Sequence, residues 1–290
     1  MLDHCPDSKA KMMRIDSHHH FWDYSAEQYE WINDEMSVLR RDFGPRDLAA
    51  AAGPKGIEKV VSVQARQTVE ESDWLLSIAD GSDLVAAVVG WVPLASGSVR
   101  EEVERLSHAD KFRAVRHVVQ GEPDDDFILG KQFNAGVAIL KEYGLVYDVL
   151  IFAKHLENTI KFVDQHPQQP FVLDHIAKPT IRGEQFDAAW AKHMKELAKR
   201  PNVTCKFSGV ATEVRDPTWD IATVQPYWDV ALEAFGPKRL MFGSDWPVCL
   251  LRTEYARWVE CVEELASPLS EAEKDHFWRQ TANEAYGLKL

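Results

Sequence analysis

Eight short apolar runs alternate with helix-length amphipathic segments along this chain, and that alternation constrains the fold more than any other feature. The runs are Met13–His18, Lys59–Ala65, Leu84–Val92, Phe112–Val118, Leu145–Ile151, Pro170–Ile176, Val203–Phe207 and Leu240–Gly243. Several are apolar almost throughout, as in Val85-Ala86-Ala87-Val88-Val89, which is the pattern of parallel strands covered on both faces. Between and after them lie Val69–Ala79, Val99–Ser107, Lys131–Glu142, Leu156–Gln165, Phe186–Lys199, Tyr227–Phe235, Glu254–Leu265 and Glu271–Tyr286, all readable as helices. Gly144, Pro167, Pro201 and Gly236-Pro237 fall where those helices should stop. Eight strand–helix units predict an α/β fold, a (β/α)8 barrel. An open doubly wound sheet is the alternative, but no Gly-x-Gly-x-x-Gly follows any strand to supply its usual phosphate turn.

The 290 residues carry no Pro-, Gly- or Ser-rich linker and no internal repeat. The expected organisation is a loosely ordered extension over residues 1–12 and one barrel domain over residues 13–290, closed by C-terminal helices. A net charge of −13 and the lack of a dense basic run argue against nucleic acid and anionic membranes as partners. Cys5, Cys205, Cys249 and Cys261 show no Cys-x-x-Cys spacing and fit reduced thiols better than a disulfide scaffold. No apolar run is long enough to cross a bilayer or resembles a signal-peptide core, so the expectation is a soluble cytoplasmic protein. Oligomeric state is not legible at this level.

In such barrels chemistry sits where strands end and loops begin on the carboxyl side. Strand one runs into Asp16-Ser17-His18-His19-His20-Phe21-Trp22. Strict alternation would put Asp16, His18 and His20 on one face, where the two imidazoles can chelate a metal or converge on one substrate oxygen. A His-rich run can also be an appended tag, but this one grows out of an apolar start. Strand two ends in Gln64-Ala65-Arg66 and strand four in Arg116-His117. Strand five contains Asp148 and is followed by His155, and strand six ends in Asp174-His175-Ile176-Ala177-Lys178. Alternation would point Asp174 away from His175. Strand seven ends in Lys206 and Ser208, and strand eight in Gly243-Ser244-Asp245-Trp246-Pro247. So many ionisable groups at the ends of apolar strands require mutual pairing or a ligand. Taken singly, His117 or His155 reads as a hydrogen-bonded structural histidine, and Trp22 or Trp246 as either a core aromatic or a pocket wall.

As an ordered set these motifs resemble the amidohydrolase superfamily. Asp16-x-His18-x-His20, Asp174-His175 and Gly243-Ser244-Asp245-Trp246-Pro247 carry the likeness. His-His-Phe-Trp, Val-Gln-Ala, Val-Arg-His and Asp-His-Ile-Ala-Lys-Pro narrow it to the branch containing L-fuconolactonase- and L-rhamnonolactonase-like enzymes. The resemblance implies hydrolysis of a sugar 1,4- or 1,5-lactone to the aldonic acid. Asp245 would be the general base, with His18, His20, His175 and Arg116 polarising the carbonyl. Trp22, Gln64, Arg66, His117, His155, Lys178 and Trp246 would hold the sugar. Binuclear members place a carboxylated Lys or a Glu where this chain has Arg116-His117, so two metal ions are not expected. No metal is obligatory; a single divalent ion such as zinc on His18, His20 and Asp245, with His155 or His175, is compatible. Two rivals share these residues. One is a metal-dependent decarboxylase or hydratase acting on an aromatic-derived acid, and the other is a non-catalytic barrel that binds a small acid.

Overall fold

A computed structural model describes residues 13–183 and 185–290; the N-terminal extension expected over residues 1–12 lies outside the described residues. Eight parallel strands run in chain order in one sheet: β1 (Arg14–His19), β2 (Ile57–Val63), β3 (Val85–Gly90), β4 (Phe112–Val118), β5 (Val146–Leu150), β6 (Phe171–Leu173), β7 (Val203–Phe207) and β8 (Leu240–Phe242). The sheet closes beyond β8, where the Asp245 N–H donates to the His18 carbonyl (2.8 Å) and the His20 N–H to the Trp246 carbonyl (2.7 Å). The result is the expected (β/α)8 barrel.

Helices α1 (Pro45–Ala52), α2 (Val69–Asp80), α3 (Val99–Ser107), α4 (Lys131–Leu140), α5 (Leu156–Gln165), α6 (Ala188–Leu197), α7 (Ile221–Phe235) and α8 (Tyr255–Leu265) follow the strands. Thr68 caps α2 and Asp187 caps α6 through their side-chain oxygens. Helix α7 begins six residues before the expected Tyr227, because the capping box at Asp220 starts it and Pro226 is accommodated inside. The expected terminal helix is split into α9 (Glu271–Asp275) and α10 (Thr281–Tyr286) by a π-helical turn over His276–Gln280. Ala282 and Tyr286 of α10 pack against Ile15, Val61, Val89, Val172 and Met241, so the last helix plugs the barrel interior from below. Among the described residues no helix is long and apolar enough to cross a membrane.

Two departures from regular strand geometry shape the carboxyl-side end. The pairing of β1 with β2 shifts register between Asp16 and His19, a bulge that breaks the alternation read from the sequence. Ile15 therefore packs in the barrel interior, whereas Asp16 turns outward to accept from Tyr255 of α8 (3.0 Å) and from the Ser244 N–H (2.9 Å). Asp16 consequently does not share a face with His18. Strand β6 stops at Leu173 rather than Ile176, and His175, Ile176, Ala177 and Lys178 all adopt positive φ. Each such residue costs on the order of 1–2 kcal/mol without a glycine. The turn is held by burial of Ile176 and Ala177 and by the Trp190 indole, which donates to the Ile176 carbonyl (2.7 Å). It also cancels the expected opposition of Asp174 and His175, because both side chains now reach the same centre.

Candidate active site

The strand ends converge on a fully buried cluster. Asp245, itself at φ +59°, places Oδ1 3.4 Å from His20 Nε2 and 3.8 Å from both His18 Nε2 and His175 Nε2. His20 Nδ1 lies 2.8 Å from the Val63 carbonyl, which can only accept, so Nδ1 carries the proton and Nε2 faces the cluster as a lone pair. His175 Nδ1 meets Ser208 Oγ at 2.9 Å. Glycine is required opposite: a Cβ on Gly209 (φ +62°) would stand 2.7 Å from His175 Nδ1 and 2.8 Å from Asp245 Oδ2.

Beneath this layer lies a network of buried charges. Lys206 Nζ contacts Asp148 Oδ2 (2.6 Å), Asp174 Oδ1 (3.0 Å) and His18 Nδ1 (3.2 Å). Arg116 pairs with Asp174 Oδ2 (3.1 Å), reaches His18 Nε2 (3.4 Å), and donates to both the side chain and the backbone carbonyl of Gln64. Tyr286 donates to Asp148 Oδ2 at 2.7 Å. Such a network persists only because each charge meets an opposite one.

These surroundings set the protonation states. Burial pushes His18 and His20 below the ordinary imidazole value and holds His175 down at about 4, so all three are neutral at pH 7. Burial alone would raise Asp245, but His175, His20 and Lys178 outweigh it and keep the carboxyl below its usual range. Asp174 is likewise held ionised against burial by Lys206, His18 and Arg116.

Above the cluster opens a cavity of about 830 Å³, whose lining includes His20, Arg116, His175 and Asp245 at its base and Arg66 and Lys178 on its sides. That size suits a small polar ligand with room around it. Trp31, Met36 and Phe152 contribute apolar lining, and Glu213 and Arg215, which also line the cavity, pair at 2.8 Å. Trp31, Phe152, Glu213, Arg215 and Gly209 were not expected from the sequence, and Ser208 was noted at a strand end without a role. Only the Ser208-Gly209 pair immediately after β7 offered a local signal; Trp31 and Phe152 lie in loops without periodicity.

Four residues expected to hold a ligand are turned elsewhere. Trp22 is fully buried among Tyr29, Trp31 and Phe43 and donates to the Leu39 and Arg41 carbonyls. Trp246 packs edge-on against Phe43. His117 alternates away from Arg116, bonds Glu122 (2.6 Å) and stacks on Phe127. His155 accepts from the Phe152 N–H (3.2 Å) at the start of α5 and contacts Asp125 (3.2 Å). None of the four lines the cavity, and Gln64 meets it only by bracing Arg116.

The donor set fits one divalent ion. Ligand atoms of His18, His175 and Asp245 lie within 4.8 Å of one another, and imidazole with carboxylate is a ligand set that suits zinc. His155, with its side chain outside this cluster, does not join it. Arg116 occupies the β4 position from which a bridging carboxylate would serve a second ion.

Comparison with known proteins agrees with this architecture. The amidohydrolase family model matches residues 15–288. The chain is 40% identical to an L-fucono-1,5-lactonase of Burkholderia multivorans over 289 residues, 95% of this chain and 96% of that protein. It is 36% identical over 254 residues to an L-fucono-1,5-lactonase of Burkholderia ambifaria, covering 87% of each. A crystal structure of an amidohydrolase from Burkholderia multivorans with bound zinc superimposes with a TM-score of 0.90 at 40% identity, covering 96% of this chain and all of that one.

Proposed function

This chain belongs to the amidohydrolase family, and from that premise we propose that it hydrolyses a sugar 1,5-lactone of the L-fucono type to the aldonic acid. The observation that carries the reading is the convergence of an ionised, buried Asp245 and the unprotonated His20 Nε2 at the base of a cavity flanked by Arg66, Arg116 and Lys178. Similarity to two proteins named L-fucono-1,5-lactonase supports the substrate class.

Asp245 Oδ1 and His20 Nε2 are two acceptors 3.4 Å apart, so a water bridging them directs an oxygen lone pair into the cavity. Attack on the lactone carbonyl forms the new C–O bond as the proton passes to Asp245. The Arg116 and Lys178 charges stabilise the tetrahedral oxyanion. Collapse breaks the ring C–O bond, and Asp245 returns the proton to the departing ring oxygen. His20 thus orients water rather than polarising the carbonyl, the role first expected of it. Arg66, Lys178 and Trp31 contact the sugar. A divalent ion held by His18, His175 and Asp245 supplies Lewis acidity when bound.

The test is a pH-indicator hydrolysis screen over L- and D-sugar lactones, with and without chelator. Turnover of L-fucono-1,5-lactone well above the other stereoisomers is expected. No turnover of any lactone, with or without added zinc, would overturn the proposal.

A further inference from the structure

His18 is fully buried with the Lys206 Nζ donor against one of its nitrogens, so that nitrogen keeps its lone pair and the ring carries a single hydrogen. Which nitrogen carries it decides whether His18 offers the site a hydrogen-bond donor or a metal ligand. Lys206 stands on the Nδ1 side at 3.2 Å in hydrogen-bonding geometry. An ammonium has hydrogens and no lone pair, so Nδ1 must accept. Lys206 has no freedom to turn away: it is completely buried within the barrel, and its other two partners are Asp148 at 2.6 Å and Asp174 at 3.0 Å. Its hydrogen bonds go to Asp148 and His18, while Asp174 Oδ1 is held as an ion pair. Tyr286, reaching up from the plug helix, fixes Asp148 and with it the ammonium.

The Nε2 side agrees. His20 Nε2, 3.3 Å away, is a lone pair because its Nδ1 hydrogen is committed to Val63, so a hydrogen on His18 Nε2 meets no opposing hydrogen there. Arg116 Nη1, 3.4 Å from His18 Nε2, has the closer Asp174 Oδ2 at 3.1 Å as its acceptor.

We infer that Lys206 is a positioning residue: by occupying His18 Nδ1 it holds the His18 proton on Nε2, facing the reacting centre. His18 then presents an N–H to a substrate carbonyl or its oxyanion, and must move that proton off Nε2 before it can join His175 and Asp245 in holding the cation their spacing suits. Without Lys206, His18 Nδ1–H would be free to donate to Asp174 Oδ1 at 3.3 Å, and Nε2 would become the lone pair of a carboxylate–histidine–metal arrangement. Lys206 therefore tilts the site from metal binding toward hydrogen-bond catalysis.

The tautomer belongs to the free protein, so its measurement is independent of which lactone is hydrolysed. In the full-length metal-free protein labelled with 15N-histidine, long-range 1H–15N spectra, assigned by the signals lost in His18→Gln, should show a lone-pair Nδ1 and a proton-bearing Nε2 for His18. The reverse pattern overturns the inference. In a second arm, calorimetric titration with zinc compares the wild type with Lys206→Met/Asp148→Asn, which removes the ammonium together with one of its carboxylates. Zinc should bind the variant about tenfold or more tighter, the scale on which partners of a ligating imidazole act. Equal or weaker binding by a variant with native circular dichroism overturns the inference; if the variant does not fold, the wild-type spectrum decides alone.

Discussion

Asp245 Oδ1 and His20 Nε2, from opposite ends of the chain, stand 3.4 Å apart because the turn after β8 hydrogen-bonds back onto the end of β1. The same closure that removes the sheet's free edges assembles the reactive pair. Asp245→Asn removes the base without changing side-chain size. Turnover of L-fucono-1,5-lactone should fall by about 10²–10⁴-fold with the melting temperature nearly unchanged, as read by the hydrolysis assay beside thermal denaturation.

Gly209 tests how tightly the cluster is packed. In Gly209→Ala the new methyl would meet His175 Nδ1 and Asp245 Oδ2 at less than normal contact distance, at a φ that favours glycine. A stability loss of about 1–3 kcal/mol by denaturant unfolding is expected, with a drop in kcat larger than any change in KM.

The pH profile follows from burial of the imidazoles. Asp245 is held ionised below the usual carboxylate range and His175 gains its proton only near pH 4. After subtraction of spontaneous hydrolysis, kcat/KM should stay level through neutral pH and fall only as pH approaches 4. An acid limb centred at the ordinary histidine value of 6.5 would contradict the arrangement.

Glu71 gives a separate test on stability. It braces the β2–α2 loop by accepting from the Ala65 and Arg66 N–H groups, and burial pushes its carboxyl up from 4.5 to about 7. A raised folded-state value means that the native protein holds this proton more tightly than the unfolded chain. Stability is therefore lost as pH rises from about 4.5 through 7. Glu71→Gln keeps an acceptor without the charge. Its stability relative to wild type should rise across that window, by roughly 3 kcal/mol as an upper bound, in urea unfolding at pH 5 and pH 8.

Lys178→Met should lower kcat and raise KM for the lactone severalfold each, because one charge both stabilises the oxyanion and holds the sugar. A fall in kcat with KM unchanged would assign that charge to the oxyanion alone. Steady-state kinetics separates the two.

The alternation of eight apolar runs with amphipathic helices was enough to specify the barrel, because strands buried on both faces and helices buried on one have different periodicities. The strand-end rule then brought forward a wider set of polar residues, from which the resemblance to amidohydrolases singled out His18, His20, His175, Arg116 and Asp245, all of which meet at one end of the barrel. Alternation could not foresee the bulge in β1 or the left-handed turn after β6. Both are backbone irregularities stabilised by distant partners such as Tyr255 and Trp190. That is why Asp16 left the face assigned to it and Asp174 joined the centre from which alternation had pointed it away. Nor does residue type tell a ligand-facing aromatic or histidine from a packed one: Trp22, Trp246, His117 and His155 found internal partners, while Trp31 and Phe152 came to the cavity from loops. The sequence by itself determined the fold and which strand ends bear the chemistry, since both follow from local periodicity. The placement of protons, the charge beneath His18 and the walls of the cavity depend on contacts between side chains far apart in the chain, and only the tertiary structure decided them.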